Sequence, residues 1–121
     1  MTRFTEVKNI LEASVNGTNI RAHGNFWRDM TRDQFIEFSY RSQPLLTKKP
    51  DGTFDENESN LVKALEGRLP FGRDIGTIGA TFRRMPAGLP AVPKDKIEII
   101  RTWIKDGCPD DDPLLPEYNE V

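Results

Sequence analysis

Few side chains in this sequence are equipped to do chemistry, and they are scattered. Among 121 residues there is one histidine, His23, and one cysteine, Cys108. A single cysteine excludes an intramolecular disulfide and a thiolate metal cluster within the chain. Cys108 also follows the expected end of the last helix, where the negative end of the dipole disfavours a thiolate. The segment from Gly72 to Gly79 is glycine-rich but lacks the Lys-Ser/Thr that would make it a phosphate loop. Asp110-Asp111-Asp112 runs into Pro113 with no spaced ligands beyond, which reads as a solvated tail rather than a calcium loop. Taken alone, His23 is most simply a hydrogen-bonded residue fixing a turn, and Met85 a gap-filler in a core. Arg83-Arg84 suits either an acidic partner or a solvated loop. No nucleophile–base pair or dense acidic pattern stands out, so no independent catalysis is expected.

The bulk composition narrows the classes further. The formal net charge is −2 and the pI about 5.4, so no basic field argues for nucleic acid. Hydrophobic residues make up 36%, charged ones 30%, and the mean hydropathy is −0.59. With nine Gly and nine Pro, that composition implies one modest core wrapped by long irregular connections. No apolar run approaches the roughly 20 residues that span a bilayer, and the first residues carry no signal-peptide pattern. The expectation is a cytoplasmic protein with no membrane contact.

The elements that must position these residues follow from periodicity. Phe4, Val7, Ile10 and Leu11 recur at helical steps over residues 3 to 15, and Asn16-Gly17 supplies the stop. Thr31 and Gln34 have capping-box spacing, so a second helix is expected from Thr31. A third is expected from about Glu56 to Glu66, burying Leu61, Val62 and Leu65 and ending at Gly67. Residues 68 to 93 show neither period and hold many Gly and Pro, which predicts a long structured loop. The clearest helix, about Lys94 to Asp106, puts Ile97, Ile100 and Ile104 on one stripe beside Ile99 and Trp103, closed by Gly107 and Pro109. Together these predict an all-α domain of about four helices over residues 1–110, with an acidic, Pro-broken tail over 111–121.

Three stretches resemble the small class I cytochrome c family. Arg84-Met85-Pro86-Ala87-Gly88, followed by the helix ending Trp103-Ile104-Lys105-Asp106-Gly107-Cys108-Pro109, is similar to that family's axial-methionine loop and C-terminal helix. Ser59 to Gly67 is similar to its middle helix, and the first helix followed by His23-Gly24 resembles the haem-attachment turn. The resemblance implies a small helical bundle around a haem, with His23 and Met85 as candidate iron ligands, one on each face. Such a pair makes a six-coordinate iron suited to electron transfer. The attachment motif is broken, however. With His23 in the ligand position, the two thiol positions fall on Asn19 and Ala22, and neither can form a thioether.

Losing the cofactor would leave a hole of several hundred cubic ångströms. At about 24 cal/mol per Å³, an empty one costs on the order of 10 kcal/mol, comparable to a whole domain's stability. Something must occupy it: non-covalent haem, side chains, or the long loop. Phe26, Trp27, Phe35, Phe38, Tyr40, Phe71 and Phe82 are spare aromatics able to take up such space. The leading expectation is therefore a haem-free, non-enzymatic binding or accessory module that serves a larger enzyme or complex and needs no cofactor. Its protein partner would meet Phe26, Trp27, Phe82, Arg83 and Arg84. The alternative is an electron carrier with non-covalent haem held by His23 and Met85.

Overall fold

A computed structural model describes residues 2–17, 24–40, 42–72, 78, 82–86 and 89–110, and the side chain of Arg83 is outside that set. Helix α1 covers Arg3–Val15. Thr2 caps it, its hydroxyl accepting the Thr5 N–H at 3.0 Å. The apolar stripe read from the sequence is the buried one: Phe4, Val7, Ile10, Leu11 and Val15. Asn16 itself takes the left-handed conformation at φ +49°, with Gly17 at +81° behind it.

A 3₁₀ turn, Phe26–Asp29, precedes helix α2, Arg32–Ile36. The capping box is present, Gln34 N–H donating to Thr31 Oγ1 at 3.2 Å and Thr31 N–H to Gln34 Oε1 at 3.0 Å. Helix α3 runs only from Asn60 to Glu66, four residues short of its expected start. Asp55 explains the difference. Its carboxylate accepts the N–H groups of Asn57 and Glu58, each at 3.0 Å, which holds residues 55–58 in a turn instead of a helical one. Helix α4, Lys94–Lys105, matches its amphipathic pattern, burying Ile97, Ile100, Trp103 and Ile104.

The all-α expectation is corrected by four short strands among the described residues. β1, Ser39–Tyr40, pairs antiparallel with β2, Gln43–Pro44. β3, Phe71–Gly72, pairs in parallel with β4, Phe82–Arg83. Content is therefore mixed, with helices dominant. The reason lies in the irregular connections, where short ladders pair backbone donors and acceptors that no helix takes up. Two-residue strands carry no alternation long enough to be seen in a sequence.

α1 and α3 both pack on α4. At the centre, the Phe35 ring meets the Phe4 and Trp103 rings edge-on, with centroids 5.4 and 5.8 Å away. Arg32 reaches across to the end of α4, Nε donating to the Cys108 carbonyl at 2.7 Å and Nη2 to the Gly107 carbonyl at 3.0 Å. Those carbonyls belong to the turn that follows the α4 cap, so Arg32 ties down the chain leaving the helix. On the opposite flank Arg101 of α4 bonds the Glu66 carboxylate of α3, Glu98 and the Asn57 side chain. The helical frame is thus fixed at both flanks, and what it leaves uncovered lies on the other side of α1 and α3.

Candidate functional site

The C-terminal end of α1 and one side of α3 face a common space. Leu11, Ser14 and Val15 from the first, and Asn60, Leu61, Ala64 and Leu65 from the second, wall a cavity of about 230 Å³. The stretch around β1 and β2 adds Phe38, Tyr40, Gln43, Pro44 and Leu45. Phe26 and Trp27 come from the 3₁₀ turn, Phe71 and Phe82 from the parallel strand pair, and Met85 and Pro86 from the segment after β4.

Local bonds hold each wall. Trp27 is buried, and its indole N–H donates to Glu12 Oε1 at 2.9 Å. Arg28 grips the same carboxylate with two bonds, Nε at 2.9 Å and Nη2 at 2.7 Å. The Arg28 guanidinium, and after it the Trp27 indole, draw the Glu12 carboxyl from 4.5 down to about 2. Glu12 therefore stays ionised and fixes the indole edge at neutral pH. Phe26 stacks on Phe38 with centroids 4.3 Å apart and planes 5° from parallel, and meets Trp27 edge-on at 5.2 Å. Phe71 and Phe82 sit 5.3 Å apart. The Met85 N–H donates to the Ala64 carbonyl at 2.8 Å, pinning the methionine's segment to α3.

The lining among the described residues is apolar and aromatic and contains no charged side chain. Its polar groups are Ser14, Tyr40, Gln43 and Asn60. The Ser14 hydroxyl is engaged with the Leu11 carbonyl at 2.6 Å, and the Asn60 amide N–H with the Pro44 carbonyl at 2.8 Å. Chemically, such a wall desolvates and stacks.

No family model, curated protein or solved structure matches the chain. The site is read from its geometry alone.

Of the residues singled out in the sequence, Phe26, Trp27, Phe82 and Met85 are brought together on this pocket. Arg84 is not on its wall; its Nη2 donates to the Leu89 carbonyl at 3.0 Å. His23, with Asn19 and Ala22, and the Arg83 side chain lie outside the described residues. Among the spare aromatics, Phe38, Tyr40 and Phe71 line the cavity, while Phe35 went to the central core. The sequence reading missed Pro44, Leu45 and Ala64. Nothing marks the first two, whose positions depend on the β1–β2 pairing, but Ala64 between the larger Val62 and Leu65 is the small residue that leaves room.

Cys108 is fully buried, and burial pushes its thiol up to about 12. Desolvation is the dominant cause of its inertness, beyond the dipole argument read from the sequence. Among the described residues, no group of three or more His, Cys, Asp and Glu side chains is placed to hold a metal ion, and no helix is long and apolar enough to cross a membrane.

Proposed function

We propose that this chain is a haem-free binding module, similar in its sequence motifs to a degenerate class I cytochrome c, that serves a larger enzyme or complex. The observation that carries the reading is the retained pocket. The aromatics line a cavity of about 230 Å³ rather than filling it. A receptor keeps such a space, whereas a purely structural remnant gains by closing it, at about 24 cal/mol for each Å³ removed.

Haem itself fits this wall poorly. Thioether attachment is impossible with Asn19 and Ala22 at the thiol positions. An apolar cavity of about 150 Å³ holds benzene, so in a half-open pocket of about 230 Å³ most of a tetrapyrrole would lie outside the walls. The missing thiols also suit the cytoplasm, where a covalent haem site has no use. The second reading, an electron carrier with non-covalent haem, is favoured by one feature: Met85, the candidate axial ligand, lines the pocket.

Absorption spectroscopy separates the two readings. On the proposed reading the purified protein shows no Soret band, and added haemin neither produces a saturable, ligated spectrum nor shifts the melting temperature. A saturable Soret band that disappears in both His23→Ala and Met85→Ala would overturn it in favour of the carrier.

A further inference from the structure

We propose that the pocket takes an uncharged, planar aromatic or quinoid group of about two fused rings; this specifies the ligand of the binding module proposed above and rests on that reading. Size sets the first limit. A space of about 230 Å³ exceeds the roughly 150 Å³ that accommodates benzene by about one further ring.

Charge sets the second limit. Among the described residues the wall carries no charged side chain, so an ionised group against it would lose hydration with no opposite charge on that wall to compensate. The ion pair that holds Trp27, Glu12 with Arg28, is closed on itself by two hydrogen bonds.

The wall chemistry sets the third. Two ring pairs, Phe26–Phe38 and Phe71–Phe82, come from segments far apart in the chain and converge on one space. Aromatic rings favour offset or edge-on contact with another ring, and the Met85 thioether adds a soft, adaptable surface. A flat π-system uses all of these contacts, and a branched aliphatic guest uses few. Gln43, exposed beside the cavity, can hydrogen-bond a carbonyl or amine on the ligand's outer edge.

The test uses two dyes that differ by one sulfonate: N-phenyl-1-naphthylamine, which is neutral, and 1-anilinonaphthalene-8-sulfonate; the naphthalene of each is the two-ring group the pocket takes, and its phenyl ring stays at the open mouth. Both brighten on leaving water. The neutral dye is expected to bind the full chain saturably at one site, about tenfold or more tighter than the sulfonate. Ala64→Phe, which places a ring in the cavity, is expected to abolish the enhancement while cooperative unfolding persists. Ala64→Leu, a smaller obstruction, weakens it and serves if the larger ring prevents folding. Equal or tighter binding of the sulfonate, or full enhancement in a folded Ala64 variant, would overturn the inference. Haemin added in parallel keeps the two levels apart. Saturable, Met85-dependent haem binding defeats the haem-free reading, whereas a folded protein that binds neither dye nor haemin defeats only the ligand assignment.

Discussion

Glu12 connects the stability of α1 to the pocket wall, and its substitution by Gln tests that link. The carboxylate accepts two bonds from Arg28 and one from the Trp27 indole, and its pKa falls from 4.5 to about 2. Fully expressed, that drop would be worth about 3 kcal/mol. The Glu12 and Arg28 side chains are 41% and 39% exposed, however, and solvent screening reduces the figure to about 1 kcal/mol. The sign follows from the lowered pKa: the contribution is complete above the unfolded value of 4.5 and is lost as pH falls toward 2. Urea unfolding followed by tryptophan emission, at steps from pH 6.5 to 2.5, measures it. Glu12→Gln is expected to lose about 1 kcal/mol at pH 6.5, and its deficit relative to the parent protein is expected to shrink through the window from 4.5 to 2. Arg28→Ala should reproduce most of the deficit, and the double variant should add little. A deficit that stays constant across that window, or that grows on acidification, would refute the electrostatic assignment.

The remaining expectations concern the frame. Phe35→Ala removes a ring that is fully buried between Phe4 and Trp103 and should cost about 3–5 kcal/mol in denaturant unfolding, enough to threaten a domain this size. Arg32→Ala leaves the Gly107 and Cys108 carbonyls without their guanidinium donor and should cost about 1–2 kcal/mol; hydrogen exchange should rise first in the last turn of α4. Cys108, buried and with its thiol held up at about 12, should not react with a disulfide reagent at pH 8 and should react stoichiometrically once the chain is unfolded.

The helices were legible where side chains repeat. Phe4, Val7, Ile10 and Leu11 announce α1, and Ile97, Ile100 and Ile104 announce α4, because each stripe has one buried side and three- or four-residue spacing. Thr31 and Gln34 marked the start of α2 by a purely local bond pattern. The beginning of α3 was missed because Asp55 turns the backbone with its own carboxylate, a choice that competes with helix and has no periodicity. The strands escaped for a related reason: Phe71 faces Phe82 across a pairing that only tertiary structure brings together. At the site, the surplus of aromatics suggested side chains filling the space a haem would occupy, and the structure instead sets most of them around an open pocket. Whether they would fill it or wall it depends on backbone placement, which composition does not contain. Phe35 and Phe38 illustrate this, three residues apart, one in the central core and the other on the cavity.

The account turns on the pocket being a receptor, and methyl resonances report on that most directly. Titration with the neutral naphthylamine should shift the methyl signals of Leu11, Val15, Leu61, Ala64, Leu65 and Met85, which line the cavity. Those of Val7, Ile97, Ile100 and Ile104, buried in the helical core, should stay in place. Binding of the dye with shifts centred on the second group would contradict it.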